Sequence, residues 1–484
     1  MLLEMNGLEL CTTATRIDPP QLTRRNDGVT WPKRGVRRFK HVEHINIRSS
    51  ARRIRLLPRK TPVTLTPQRL RLLTGATLPD GSVVDVTIDG ETVVKIETAG
   101  SSSPSAGSPA TGDPAVLDLR GFVLLTAPAD PHAHLDKALS WEAIRPPMGD
   151  LVSAITSWRE YARTMTVDDI ATRAREQILR MLANGTTSIR THVDILLGDE
   201  PLRGAEALVR VRDELRGLVD LELVALAGPD VPDADIEAAL DLGVDLVGGS
   251  SHLAPDPSAD LQRLLAIAAR RGVGVDLHTD ESLAGAITLD EFAETVADWT
   301  VPVSAGHCVR LGTVDAEARD QMIAAVKKAD IGIIANPITN LYLQGWEHPV
   351  SMPRGLTPAR QLLDAGVRLA AGADNVRDPF NPLGRSDALE TTMLMVTAGH
   401  LTIDEAYTSV SDGARSVMAL PEAGARVGAK AELLAVKGTS LADVTANAPA
   451  DRYVIHAGRL VARSRSTVEV AVPLPDPALL TETR

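Results

Sequence analysis

Eight apolar runs of strand length recur through the middle of this 484-residue chain, and helical stretches separate them. The runs are LLTAPADPHAH (124–134), TSIRTHVDI (187–195), LELVALA (221–227), DLVGGS (245–250), VGVDLHTD (273–280), VPVSAGH (301–307), IGIIANP (331–337) and VRLAAGAD (367–374). Eight strands that are apolar on both faces, each followed by a helix, predict a (β/α)8 TIM barrel. An open doubly wound sheet is the alternative, but no glycine-rich dinucleotide or Walker motif opens any of these helices.

Two of the intervening helices have clear sequence ends. TRAREQILRMLANG (172–185) and PSADLQRLLAIAARRG (257–272) are both helical in pattern and both close on a glycine. Glycine after the last helical residue suits the left-handed backbone of a C-cap. We therefore predict that these helices end at Gly185 and Gly272.

Shorter β segments flank the barrel pattern on both sides. Turn residues separate RLRLLTGA, VVDVTIDG and TVVKIET after residue 69, a pattern typical of an antiparallel meander. The same texture returns in AELLAV (431–436), RYVIHAGRLVA (452–462) and TVEVAV (467–472). We predict a small β-sandwich domain formed by residues 67–123 and 425–484, around a barrel domain of residues 124–424.

The first 66 residues differ from the rest in charge. They carry 14 Lys/Arg against 5 Asp/Glu, a net charge of +9, in a chain whose overall charge is −12. They show no helical or strand period, so we interpret residues 1–66 as a basic, poorly ordered extension. The Ser/Pro/Gly-rich segment 101–114 is expected to be flexible as well. Attachment of the extension to nucleic acid or membrane is the less favoured alternative, because charge alone gives only non-specific binding.

The cysteine content indicates the cellular compartment and excludes some classes of metal site. Cys11 and Cys308 are the only two cysteines and lie far apart, which excludes a disulfide framework and a Cys-rich zinc module. They also exclude the zinc deaminases that carry an H-x-E and P-C-x-x-C signature. The N-terminus does not resemble a signal peptide, and no apolar run approaches 18 residues. We expect a cytoplasmic protein without a membrane partner.

Histidines fall at the ends of the predicted strands. His132 and His134 end the first strand, and three more histidines and an aspartate end later ones: His192 the second, His278 the fifth, His307 the sixth and Asp374 the eighth. Reactive groups of such barrels lie at the carboxyl ends of the strands. A single histidine there is more often an ordinary core residue, but the set together predicts a site.

The spacing of these residues suits one cation. Side chains at positions i and i+2 of a strand lie on the same face, so His132 and His134 can converge on one metal ion. His278 and Asp374 would complete a site of three nitrogens and one oxygen, which suits zinc or ferrous iron. A metal-bound hydroxide would then be the nucleophile at neutral pH. Glu281, three residues after His278, is the expected proton shuttle, and His307 is expected to polarise the substrate.

At these residues the chain resembles the metal-dependent amidohydrolase superfamily, in particular its cytosine deaminase-like branch. The resemblance rests on DPHAHLDK (130–137), THVD (191–194), HTDE (278–281), SAGH (304–307), NPITNLYLQG (336–345) and GADNVRDPFNPLG (372–384). It implies metal ligands His132, His134, His278 and Asp374, and catalytic roles for Glu281, His307 and Asp374. It also implies that Gln344 contacts the substrate, and we expect Asn375 and His192 to do the same.

The chain departs from that family at three places, and these departures narrow the expected number of metal ions and the expected substrate. The fourth strand, DLVGGS, lacks the lysine through which many members bind a second metal, so one divalent ion per chain, zinc or iron, is expected. The glutamine that cytosine deaminases carry after the third strand is missing from ALAGPDVP (225–232). Asn375 stands where they have a second aspartate, and a polar mismatch in a buried site is costly, so cytosine itself is not the expected substrate.

The sequence therefore predicts a metal-dependent hydrolase that removes ammonia from a small nitrogen heterocycle of cytosine, pterin or triazine type. Cleavage of a cyclic or exocyclic C–N bond in a ureide or an N-alkylamino triazine is the alternative within enzymes. A catalytically silent barrel that serves as a binding or scaffold protein is the alternative outside them. The absence of a G-x-S-x-G motif argues against a serine hydrolase. The expected partner is a small molecule, not a specific nucleic acid, and assembly of identical copies stays open.

Overall fold

The computed structural model describes residues 65–100 and 113–469. Almost all of the predicted extension 1–66, most of the predicted flexible segment 101–114 and the end of the predicted strand 467–472 lie outside the described residues. Within residues 467–469, which are described, no strand forms.

Seventeen strands in the described residues form two sheets. In chain order they are β1 (Gln68–Arg69), β2 (Leu72–Thr77), β3 (Val83–Asp89), β4 (Thr92–Thr98), β5 (Val116–Asp118), β6 (Phe122–Thr126), β7 (Ala129–Ala133), β8 (Ser188–Asp194), β9 (Asp220–Ala227), β10 (Leu246–Gly249), β11 (Val275–Thr279), β12 (Val303–His307), β13 (Gly332–Ala335), β14 (Leu369–Ala371), β15 (Leu433–Lys437), β16 (Arg452–His456) and β17 (Arg459–Ser464). Strands β7 to β14 form one sheet and the other nine form the second.

The eight strands from β7 to β14 are parallel, and each pairs with its neighbours in chain order. A parallel bridge between Ala133 and Asp374 joins the first strand to the residues that follow the last. The amide of Asp374 donates to the carbonyl oxygen of His132 at 2.8 Å across the same seam. The predicted (β/α)8 barrel is confirmed.

In the described residues, ten helices lie between barrel strands, three follow the last barrel strand, and one lies between β15 and β16. They are α1 (Trp141–Ile144), α2 (Leu151–Ala162), α3 (Val167–Asn184), α4 (Arg203–Glu214), α5 (Asp233–Leu242), α6 (Pro257–Arg271), α7 (Leu289–Thr295), α8 (Ala316–Lys328), α9 (Pro337–Leu343), α10 (Ala359–Asp364), α11 (Ala388–Thr397), α12 (Ile403–Val410), α13 (Asp412–Val417) and α14 (Leu441–Asn447), with short 3-10 turns at Ser251–Leu253 and Val309–Gly312. Gly185 and Gly272 follow α3 and α6 with φ of +116° and +66°, so the two predicted helix ends are confirmed. No helix in the described part of the chain is long and apolar enough to span a membrane.

The prediction of one strand over 124–134 is wrong. Residues 124–126 belong to β6, which pairs with β15 in the second sheet, whereas the barrel strand β7 begins at Ala129. Pro128 lies between them and has no N–H to continue a ladder, while its carbonyl accepts from Thr187 at 3.1 Å. The chain therefore changes sheets at this proline, a change that continuous hydrophobicity does not show.

The second sheet is built from both ends of the described chain, in the order β1-β17-β16-β15-β6-β2-β3-β4, with β5 beside β2. Strands from opposite parts of this path share one apolar core, which includes Leu73, Val86, Leu433 and Ile455. A sheet whose two parts enclose a common core is a small sandwich. The predicted sandwich from N- and C-terminal segments is confirmed, and its exact domain limits stay a prediction.

Arg452 anchors this sandwich to the barrel. From β16 its guanidinium donates to both carboxylate oxygens of Asp387, at 2.9 and 2.7 Å, and to the carbonyl of Asn184 at 2.6 Å. Asp387 also accepts from the amide of Leu389 at the start of α11. Arg452 and Asp387 are buried. This ion pair therefore fixes β16 against the end of α3 and the start of α11.

Candidate active site

Five histidines predicted for the site lie side by side at the carboxyl ends of the barrel strands. The ring of His132 is central, because its centre lies 4.3 Å from that of His192 and 4.6 Å from that of His278. The rings of His307 and His134 are 5.2 and 5.3 Å from it. All five side chains are buried. Barrel closure thus brings together residues that the sequence separates widely.

Three of the distances between donor atoms of the predicted ligands suit ligands around one ion. Nε2 of His134 is 3.1 Å from Nε2 of His278 and 3.3 Å from Oδ1 of Asp374. Nε2 of His132 is 3.8 Å from that same oxygen. Ligand atoms about 2.0–2.1 Å from a tetrahedral zinc ion lie about 3.3 Å from one another, so the spacing is suitable.

The hydrogen bonding of the same residues supports this fit. Among the described residues, both ring nitrogens of His132, Nδ1 of His278 and both carboxylate oxygens of Asp374 lack a hydrogen-bond partner. A buried polar atom without a partner costs about 1–3 kcal/mol. Several such atoms at one point indicate a site built for a ligand. The residues present fit a divalent cation.

His192 belongs to the same donor cluster. Its donor atom and those of His132 and His278 lie within 4.8 Å of one another, as do donor atoms of His132, His134 and Asp374. Nε2 of His192 also lies 3.6 Å from Oδ1 of Asp276. The structure thus places His192 beside the proposed metal ligands, and its role as a substrate contact stays a prediction.

A buried ion-pair network supports the cluster from inside the barrel. The guanidinium of Arg190 donates to Asp276 and to Ser304 at 2.9 Å, and to Glu222 at 2.6 Å. Burial alone would raise the pKa of Asp276, but His192 and the charge of Arg190 outweigh it and hold that pKa well below its usual range. Asp276 is therefore an anion beside His192.

Burial sets the protonation of the ligand candidates. It lowers the pKa of His132, His134 and His278 well below the usual value for histidine. Neutral imidazole is the form that binds metals. Burial also raises the pKa of Asp374 to about 7, and a cation among the imidazoles would favour its charged form. A cation bound at the cluster would therefore be held by neutral imidazoles and an ionised carboxylate.

Glu281 and His307 lie next to each other at the rim of the cluster. Oε1 of Glu281 is 3.8 Å from Nδ1 of His307, and burial raises the pKa of Glu281 to about 7. The side-chain amide of Asn340 donates to the carbonyl of Gly355 at 2.7 Å, so its oxygen accepts from Nδ1–H of His307 at 2.9 Å. The remaining nitrogen of His307, Nε2, lies 3.4 Å from the amide of Asn336. His307 is therefore held as one tautomer, and Glu281 stays free to exchange a proton.

Residues 168–462 match the family model described as the amidohydrolase family. A pterin deaminase from Rhizobium rhizogenes is 31% identical over 414 residues, which cover 81% of this chain and 94% of that protein. The chain belongs to the amidohydrolase family. It is a hydrolase that acts on carbon–nitrogen bonds, and the predicted resemblance is confirmed.

Two solved structures extend the comparison. An N-isopropylammelide isopropylaminohydrolase from Burkholderia multivorans matches with a TM-score of 0.69 and 27% identity, over 81% of this amidohydrolase and 98% of that chain. A 5-methylcytosine deaminase from Klebsiella pneumoniae, solved with 5-fluorocytosine, has a TM-score of 0.73 and 23% identity, over 83% and 99% of the two chains. The second likeness shows a shared fold.

The two remaining predicted contacts of this amidohydrolase are held by hydrogen bonds. Nε2 of Gln344 donates to the carbonyl of Glu281 at 2.9 Å, which leaves its oxygen as an acceptor at the site. Nδ2 of Asn375 donates to Asp378 at 2.9 Å, so that amide group helps to shape the loop after β14. Substrate contact by either residue stays a prediction.

Sequence reasoning missed three charged or polar residues near the cluster. Nζ of Lys137 is 2.6 Å from Asp194 and 3.3 Å from Nδ1 of His134, and Asp194 accepts from the indole of Trp158 at 2.6 Å. Lys137 and Asp194 end two of the quoted motifs, so the signal was present. His252 was missed as well: it lies in the turn that follows the fourth barrel strand, β10, whereas four of the five predicted histidines lie within their strands.

Proposed function

We propose that this amidohydrolase is a metal-dependent deaminase of a small nitrogen heterocycle, with one divalent cation held by His132, His134, His278 and Asp374. The observation that carries the proposal is the closeness of buried donor atoms: Nε2 of His134 is 3.1 Å from Nε2 of His278 and 3.3 Å from Oδ1 of Asp374. A carboxyl group outside this set, Glu281, lies beside them. A silent scaffold would not need such a set of unpartnered atoms.

The residues divide the chemistry between them. When bound, the cation would supply a nucleophile at neutral pH by lowering the pKa of water. Deamination adds water to the carbon that bears the amine, breaks that C–N bond and releases ammonia, so one proton must travel to the departing nitrogen. Glu281, with a pKa of about 7, is suited to accept and return this proton near neutrality. Nε2 of His307 would accept a hydrogen bond from the reacting water, in place of its long 3.4 Å contact with the Asn336 amide.

Pterin is the first substrate to test. The support is the 31% identity with a pterin deaminase, over 94% of the length of that protein. A second candidate is release of an alkylamine from a triazine, which the 27% identity with an N-isopropylammelide isopropylaminohydrolase supports. The two reactions share the water addition and differ in the leaving group.

The test is a release assay with the purified full-length chain, reconstituted separately with Zn²⁺ and Fe²⁺. Pterin, cytosine, 5-methylcytosine and N-isopropylammelide are supplied in turn, and both ammonia and isopropylamine are quantified. We expect ammonia from pterin and about one metal equivalent per chain. Isopropylamine from N-isopropylammelide alone would favour the second candidate. No product with any of them, from fully loaded protein, would contradict both and favour the scaffold interpretation.

A further inference from the structure

A sixth buried histidine lies beside the cluster, and the proposed mechanism does not use it. His252 lies in the 3-10 turn Ser251–Leu253, directly after the barrel strand β10. Only 9% of the residue is exposed. Its ring contacts the backbone of His278, a proposed metal ligand. His252 is therefore part of the wall of the site.

The hydrogen bonding of His252 fixes its tautomer. Nδ1 lies 3.1 Å from the carbonyl oxygen of His278. A carbonyl oxygen only accepts, so Nδ1 must carry the hydrogen, and in the neutral ring Nε2 then carries a lone pair. Nε2 is buried and has no hydrogen-bond partner among the described residues. An acceptor in this position needs a donor, or it costs the protein stability.

The turn that carries His252 is braced, so the ring has little freedom to find a partner elsewhere. Oγ of Ser251 donates to Asp260 on α6 at 2.8 Å, and Arg263 donates to the other oxygen of Asp260 at 2.7 Å. Arg263 also donates to the carbonyl oxygens of Gly228 and Val231, in the loop after β9. Such bracing pre-organises a contact residue.

We propose that Nε2 of His252 accepts a hydrogen bond from a ring N–H of the substrate, which makes His252 a specificity-determining residue. The proposal rests on the proposed function, because it requires a heterocycle in the site. It selects rings that present an N–H bonded to the carbon that bears the amine, as pterin does at N3. A ring alkylated at that nitrogen would leave the acceptor unpaired and would be discriminated against.

The test compares two variants on two matched substrates. His252→Asn retains a donor for the His278 carbonyl and removes the acceptor at Nε2, whereas His252→Gln offers an amide oxygen near the place of Nε2. Each is assayed with pterin and 3-methylpterin. Metal content is measured for every preparation.

We expect His252→Asn to lower kcat/KM about 10- to 100-fold on the N–H substrate and less than about twofold on its N-methyl analogue. His252→Gln should recover most of the loss, and metal content should stay unchanged. An equal loss on both substrates, or no loss on the N–H substrate, would overturn the assignment of His252 while leaving deamination intact. No turnover by metal-loaded wild-type protein would instead overturn the proposed function, and this inference with it.

Discussion

Buried polar groups differ in their hydrogen bonding between two regions of the molecule. One region is the mouth of the barrel, which holds His132, His307 and Asp374, and the other is the junction at Arg452. At the junction, Arg452 and Asp387 satisfy each other through two hydrogen bonds. At the mouth, buried nitrogens of His132 and oxygens of Asp374 have no partner in the described part of the chain. His307 and Asp374 also adopt φ of +68° and +53°, a region that non-glycine residues rarely occupy. The junction is built for stability, whereas the mouth is built to receive a ligand.

We expect the largest effect from a substitution that removes a proposed metal ligand. Asp374→Ala should abolish turnover, by about 10⁴-fold or more, because nucleophile generation depends on the cation. Bound metal should fall well below one equivalent, while circular dichroism stays that of the wild type, since the barrel core does not depend on this side chain. Asp290→Ala, on the exposed first turn of α7, is the matched control and should change nothing. Full metal occupancy in Asp374→Ala would contradict the ligand assignment.

Glu281 separates proton transfer from metal binding. Glu281→Gln keeps the size of the side chain but cannot carry a proton, so kcat should fall about 10²- to 10⁴-fold. Metal content, measured by elemental analysis, should remain that of the wild type. Glu294→Gln on the exposed face of α7 controls for the loss of a nearby negative charge. A variant within a few-fold of wild type would remove Glu281 from the mechanism.

A substitution at the junction should lower the stability of the protein and leave its catalytic activity unchanged. Arg452→Met leaves Asp387 as a buried unpaired anion, so the free energy of unfolding should fall by about 3–5 kcal/mol in urea titrations. At a temperature where the variant is folded, kcat should equal that of the wild type. Arg216→Met breaks the exposed pair with Asp213 and should cost less than about 1 kcal/mol. Comparable losses in both variants would show that Arg452 is no special anchor.

A smaller effect should show how much the burial of Glu281 lowers the free energy of unfolding. The pKa of Glu281 in the folded protein is about 7, above its ordinary value of 4.5. The folded protein therefore holds this proton more tightly than the unfolded chain does. The stability that this proton contributes is complete below pH 4.5 and is lost as the pH rises through 7. For metal-free protein, Glu281→Gln should therefore gain about 3 kcal/mol relative to wild type between pH 4.5 and pH 8. Urea titrations at several pH values measure this difference. A pH-independent difference would show that Glu281 is not desolvated.

The sequence predicts the barrel and its reactive residues because both follow local rules. Continuous apolar runs indicate strands buried on both faces, and the barrel places residues such as His132 and His278 at the ends of those strands on one rim. Local pattern does not show where one apolar run is divided between two sheets, as at Pro128. It also does not show that Arg452 meets Asp387, or that Asn340 fixes the tautomer of His307, because tertiary packing alone decides those pairings.

The seam of the barrel has a consequence for how the protein matures in the cell. The bridge between Ala133 and Asp374 joins the first strand to the residues after the last, and the proposed ligands His132 and Asp374 lie on either side of it. During synthesis the amino-terminal strands emerge long before the residue that completes the site. With the proposed ligands, a nascent chain could not hold an ion in this arrangement until Asp374 has left the ribosome, so metal loading would follow barrel closure.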